Sequence, residues 1–138
     1  MIYLRQSDYD AMVAWARQNL PAEACGLLAG ERTGALDARV ERVWLLENAD
    51  ASSEHFTITP ADQLRALREA RAEGLAMLGN WHSHPQTPSR PSEEDKRLAN
   101  DTSAFYLILS LVGSEPVLRA FTVAADKTVG VVPIEVVA

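Results

Sequence analysis

One cysteine, Cys25, is all the thiol chemistry this chain carries. A lone cysteine excludes an internal disulfide framework and a zinc site built mainly of thiolates, and it is compatible with a reducing cytosol. Basic residues are also scarce: 13 Lys and Arg against 19 Asp and Glu leave a formal net charge of −6. That balance argues against duplex DNA, whose phosphates need clustered cations. The one basic cluster, Arg65, Arg68 and Arg71, falls at helical spacing among acids and reads as a solvated helix face. No apolar run reaches membrane-spanning length, and the opening MIYLRQSDYDAM lacks the basic-then-apolar pattern of a secretory signal. The expectation is a cytoplasmic protein with no nucleic-acid and no membrane partner; a homodimer stays open. Nor is there an internal repeat, low-complexity tract or linker, so the 138 residues fit one domain, 1–138, with a core of its own.

What is present reads as interleaved helices and strands. SDYDAMVAWARQN, 7–19, begins with a serine suited to capping and puts Met12, Val13 and Ala16 on one helical face, with Pro21 ending it. CGLLAG, a turn in ERTGALD and a strand in ARVERVWLLEN predict a hairpin from Cys25 to Leu46. In HFTITPADQLRALREARAEG, Thr59 is the expected N-cap, Pro60 the first helical residue and Asp62 the capping-box partner. Leu64, Leu67 and the stem of Arg71 share one face there, and Gly74 stops the helix. LAMLGNWH predicts a strand, SEEDKRLAN a short helix and FYLILSLV a central strand buried on both faces. VLRAFTV and VGVVPIEVV predict two closing strands. Together these imply an α+β (α/β) protein with a mixed, largely antiparallel sheet flanked by helices.

The chemistry concentrates in WHSHPQTPSRPSEEDK, 81–96, which holds two of the three histidines. Side chains two apart on a strand point to one face, so His82 and His84 present both imidazoles together while Ser83 faces away. Pro85, Pro88 and Pro91 stiffen the return, and Ser92 and Asp95 open the next helix. Two nitrogens and one carboxylate oxygen make a three-ligand site, which for zinc leaves a fourth position for water, as catalytic sites require. Ser-x-x-Asp is also a plain capping box, and His-x-His alone is weak. Their joint occurrence at this offset is expected in shuffled sequence on the order of once in several thousand trials, which favours the metal reading. The two readings of Ser92 are compatible, since one hydroxyl can cap and also serve a site. Hydrolysis also needs a base. Spacing does not select one from eleven glutamates and seven further aspartates, although Glu23 stands between a helix-ending proline and an apolar strand.

PAEACGLLAG followed by WHSHPQTPSRPSEED resembles the JAMM (MPN-plus) metalloprotease pattern. That pattern has a glutamate shortly before Cys-Gly-Leu-Leu-x-Gly, then His-Ser/Thr-His-Pro, then Ser-x-x-Asp after seven intervening residues. Glu23, His82, His84, Ser92 and Asp95 fill every position, and FTITPADQLRALREARAEGL and FYLILSLVGSEPVLRAF extend the likeness over nearly the whole chain. The resemblance implies a cytidine-deaminase-like MPN fold and one Zn2+ ion held by His82, His84 and Asp95. It gives Glu23 the part of general base and Ser92 that of hydrogen-bond donor to the oxyanion. It implies peptidase or isopeptidase action at the C-terminal Gly-Gly tail of a ubiquitin-like or sulfur-carrier protein. The compact length, without the long insertions of the eukaryotic deubiquitinases, points to the prokaryotic type. The Gly-Gly tail is expected to add as a strand beside the metal-site edge. Two rivals share the motif or fold: a RadC-like or phage-tail peptidase, and a non-catalytic MPN assembly module. Cys25 reads as a buried structural thiol. His55, which precedes a strand-like segment, reads as bland, and Trp81 as packing beside the metal loop.

Overall fold

The structure, a computed structural model, describes residues 1–138. Its first strand, β1 (Ile2–Arg5), buries Ile2 and Leu4 and exposes Tyr3 and Arg5. This four-residue strand was not expected, because it runs straight into helix α1 (Gln6–Gln18) with no turn residue between. Arg5 therefore occupies the N-cap, without a side-chain cap, and Ser7 lies inside the first turn rather than capping it. Met12, Val13 and Ala16 are buried on one face, as their spacing predicts. The hairpin of β2 (Cys25–Gly34) and β3 (Asp37–Leu46) matches expectation in extent, but its turn is only Ala35 and Leu36; Glu31–Gly34 stay in the strand.

Helix α2 (Pro60–Ala72) starts where anticipated, with the Thr59 hydroxyl accepting the Asp62 N–H at 3.2 Å, but the capping box is only half formed, because the Asp62 carboxylate faces Arg65 at 3.4 Å rather than the Thr59 N–H. Its buried face differs from the expected one. Ala66 and Ala70 face the sheet, whereas Leu64 and Leu67 are 46% and 44% exposed. Trp44 fills the space beneath: it packs in one apolar cluster with both alanines, and its indole N–H donates to Glu69 at 2.7 Å. The bulk at this contact comes from the strand, so the helix supplies small residues.

Strand β4 (Ala76–His84), helix α3 (Glu93–Leu98) and strand β5 (Phe105–Ser110) follow, then β6 (Val117–Val123), β7 (Val129–Val132) and β8 (Ile134–Val137). VGVVPIEVV is thus two strands: Pro133 cannot donate to a ladder and breaks the segment. All strands join one sheet of order β7-β6-β5-β4-β2-β3-β1-β8. Because β7 and β8 stand at opposite ends of that order with only Pro133 between them, the sheet curls until its ends meet. The Ile2 N–H donates to the Pro133 carbonyl at 2.8 Å across this junction. Pairing is mixed: β2–β3, β2–β4, β5–β6 and β6–β7 are antiparallel, and β1–β3, β1–β8 and β4–β5 parallel.

The sheet has a core on each face. α1 closes one around Leu4, Leu28, Trp81 and Leu107, and α2 closes the other around Cys25, Trp44 and Leu46. Trp81 therefore packs in the α1 core, on the face opposite the histidines, and not beside the metal loop. Its indole N–H donates to the Trp44 carbonyl at 3.0 Å. That approach requires Gly26: a Cβ there would stand 1.7 Å from the Trp44 oxygen and 2.3 Å from the Trp81 Nε1.

Candidate metal and hydrolytic site

Strand β4 is interior, with β2 on one side and β5 on the other. His82 lies opposite Cys25 and Ile108, and His84 opposite Ser110. Residues opposite one another share a face, so both imidazoles emerge on the α2 side. Being paired on both sides, β4 itself offers no free edge to a substrate tail. Docking of the tail by strand addition would have to use a segment beside the site other than β4. Ser83 points the other way, is fully buried, and ties β4 to the segment before β2. Its hydroxyl accepts the Ala24 N–H at 2.8 Å and its own N–H donates to the Ala24 carbonyl at 2.9 Å. The tripeptide carrying the histidines is thereby fastened to the residue next to Glu23.

The return from His84 to Ser92 is pinned along its length. The Ser110 hydroxyl donates to the Thr87 carbonyl and the Ser89 hydroxyl to the Ile108 carbonyl, each at 2.6 Å. His84 Nδ1 lies 2.9 Å from the Pro88 carbonyl, so that nitrogen carries the proton and Nε2 keeps its lone pair. The loop ends in a complete capping box. Ser92 Oγ accepts the Asp95 N–H at 3.0 Å, and Asp95 Oδ2 accepts the Ser92 N–H at 2.9 Å. The same Oδ2 stands 3.2 Å from Nε2 of His82 and of His84, and the two Nε2 atoms are 3.1 Å apart. Ser-x-x-Asp is thus at once a helix cap and part of the histidine cluster.

The donor set fits a divalent metal. One ligand atom from each of His82, His84 and Asp95 lies within 4.8 Å of the others, and two imidazoles with one carboxylate are the ligand types zinc takes. The backbone partner of His84 is the outer contact that ordinarily orients a ligating imidazole. His82 lacks one: its Nδ1 is buried without a partner, and its ring is held instead by stacking on Phe56, centroids 4.7 Å apart. Burial, working against the neighbouring Asp95, lowers the pKa of His82 and favours the neutral form that metals bind. For Asp95, burial raises the pKa, but hydrogen bonds with both histidines and the Ser92 N–H overcome it and hold the carboxyl far below its usual range.

Glu23 comes to this site from the segment between α1 and β2. It is only 3% exposed, and its Oε1 has no hydrogen-bond partner. Burial pushes its carboxyl up to about 8, opposed by the neighbouring His84 and reinforced by the charges of Asp95, Glu94 and Glu54. A buried, unpartnered carboxyl near neutrality is what proton transfer uses and what a structural ion pair is not. A cleft of about 290 Å³ opens beside His82 and Asp95, bounded also by Phe56, Leu98 and Ile108.

Cys25, directly opposite His82, is fully buried and stays structural. Burial, reinforced by Glu23, Asp62 and Asp50, pushes its thiol from 9.0 up to about 12. The folded protein then keeps the proton between those values while the unfolded chain releases it. Stability from this group is present below pH 9.0 and declines as pH rises toward about 12. The Cys25→Ala protein should show a flatter decline over that range in urea titrations, and native Cys25 should resist alkylation at pH 8.

Two strand histidines converging with a helix-cap aspartate, beside a buried glutamate on a curled mixed sheet, define the JAB/MPN class of protein. The chain belongs to the family of prokaryotic homologs of the JAB domain, whose model matches residues 5–124, and it is a hydrolase of the JAMM type. Its relatives include the "CysO-cysteine peptidase" of Mycobacterium tuberculosis, 33% identical over 110 residues, which are 80% of this chain and 73% of that one. The "Probable TtuB-protein conjugate cleaving protease" of Thermus thermophilus is 31% identical over 133 residues, 96% of this chain and 82% of that one. Among solved structures, protein DSY2949 from Desulfitobacterium hafniense superposes with a TM-score of 0.90 at 50% identity, covering 99% of this chain and 92% of that one.

Proposed function

We propose that residues 1–138 act as one catalytic domain that binds a single zinc ion through His82, His84 and Asp95. Its reaction is hydrolysis of the peptide or isopeptide bond at the C-terminal Gly-Gly tail of a ubiquitin-like or sulfur-carrier protein. The observation that carries this reading is the convergence of three ligand atoms within 4.8 Å beside a buried carboxyl without a partner. The names of the mycobacterial and Thermus relatives, a peptidase and a protein-conjugate protease, support the substrate class. No helix is long and apolar enough to cross a membrane, and the cytoplasm, where such carriers would be met, is the proposed compartment.

Bound zinc supplies Lewis-acid polarisation of the scissile carbonyl and lowers the pKa of the attacking water. Glu23 takes the proton from that water as it attacks and returns it to the departing amine. The Ser92 hydroxyl, whose oxygen already accepts the Asp95 N–H, keeps its own hydrogen to donate to the oxyanion. Asp95, held by the Ser92 N–H, keeps the cap and the ligand cluster in one rigid unit.

Glycine enters through burial. His82, His84 and Glu23 are 3%, 4% and 3% exposed, so a carbonyl reaches them only if the chain beside it is thin. Glycine has no Cβ to obstruct that approach. The test is a ubiquitin-like domain whose Gly-Gly tail continues into a reporter, with cleavage followed by mass spectrometry. Cleavage after the second glycine is expected, and replacing either glycine by valine or phenylalanine should abolish it. Unchanged rates on the bulky tails would overturn this substrate assignment.

A further inference from the structure

The mechanism needs Glu23 held in place, yet its Oε1 has no hydrogen-bond partner. Its backbone is what is gripped. The Glu23 N–H donates to the Ser52 carbonyl at 2.7 Å, and the Glu23 carbonyl accepts from Asn48 Nδ2 at 3.0 Å. Asn48 is only 5% exposed. Its Nδ2 donates a second time, to the His55 carbonyl at 3.0 Å, and its Oδ1 accepts the N–H groups of Asp50 and Thr57 at 3.0 and 3.1 Å. Every donor hydrogen and both acceptor sites of this amide are used. One side chain thus folds the 48–57 loop on itself and fastens it to Glu23. The same loop carries Phe56, which stacks on His82.

We propose that Asn48 is the positioning residue for the general base, setting where the Glu23 backbone lies relative to the histidine–aspartate cluster. This rests on the reading of Glu23 as the base. Aspartate at 48 keeps the two acceptor contacts and turns both donors into an oxygen facing the Glu23 and His55 carbonyls. Alanine removes all four contacts. Neither change touches a proposed ligand. Fully satisfied buried amides hold one arrangement of backbone firmly, and a small displacement of a reacting group is costly.

The experiment takes Asn48→Asp and Asn48→Ala through three readouts: kcat and KM on the carrier–reporter fusion, zinc affinity by chelator competition, and amide hydrogen exchange of the metal-free protein. The expected result, in whichever variants fold, is a fall in kcat of about 100-fold with KM and zinc affinity changed less than about twofold. The Glu23 amide should exchange faster, while the Ser83 amide, bonded to Ala24, stays protected. Wild-type kcat in a folded variant would overturn the proposal. So would loss of zinc affinity in step with kcat, or failure of both variants to fold, since Asn48 would then serve the fold as a whole. Glu23→Gln run alongside separates the two readings. An active Glu23→Gln sinks the base assignment itself, whereas an inactive Glu23→Gln beside an active Asn48 variant sinks only the role of Asn48.

Discussion

Glu23→Gln is expected to bind one zinc with wild-type affinity and to cleave the carrier–reporter fusion about 10²–10⁴ times more slowly, the range a positioned general base contributes. Gln is nearly isosteric with Glu, and it cannot take up a proton. Glu23 Oε1 makes no hydrogen bond that the change would break. Its carboxyl is pushed up to about 8 mainly by burial, so a neutral amide removes a desolvation cost rather than an ion pair. The variant should therefore be at least as stable as the parent at neutral pH. The pH dependence of the difference has a definite sign. A carboxyl whose folded pKa lies above its unfolded value is stabilising at low pH, and that stability is lost as pH rises from 4.5 toward about 8. Metal-free Glu23→Gln should lose less stability than the parent across that interval. Urea unfolding of both proteins at the two ends measures it.

Asp95→Ala should be the most damaging change to metal binding. It removes one of three proposed ligands, and it also opens the capping box, because the same Oδ2 accepts the Ser92 N–H. Losing an outer-shell partner typically weakens a metal site about 10–100-fold, so losing a ligand together with the cap should exceed about 100-fold. Asp95→Asn separates the two roles. Its amide oxygen can still take the Ser92 N–H, so α3 should keep its start, while the negative charge shared by His82 and His84 is gone. Competition with a chromophoric chelator should rank zinc affinity as parent, then Asp95→Asn, then Asp95→Ala. Backbone amide shifts of Ser92–Leu98 should move only in the alanine variant.

The legible part of this molecule was local chemistry at short spacing. His82 and His84 sit two apart on a strand, and Ser92 and Asp95 three apart at a helix start, so the backbone periodicities alone place each pair. Glu23 lies far from both in sequence, and only the family resemblance marks it. Asn48 has no sequence signature, because its side-chain contacts all run to backbone carbonyls and amides, which leave no residue pattern. The face of α2 misled for a different reason. Spacing puts the leucines on the buried face, but Trp44 on β3 supplies the bulk and leaves room only for Ala66 and Ala70. The C-terminal segment read as one strand because its apolar content is continuous; Pro133 redirects it from one end of the sheet to the other. That β4 is paired on both sides, and so offers no edge to a substrate tail, is a property of the sheet order and not of β4's own residues.

The central claim is that one metal at His82, His84 and Asp95 makes this chain a hydrolase. Titration of zinc into the metal-free protein, with cleavage of the carrier–reporter fusion followed at each addition, tests it most directly. Activity should be absent without metal, rise in proportion to zinc added and level off at one ion per chain. Full cleavage by the metal-free protein, or saturation with zinc without any cleavage, would contradict it.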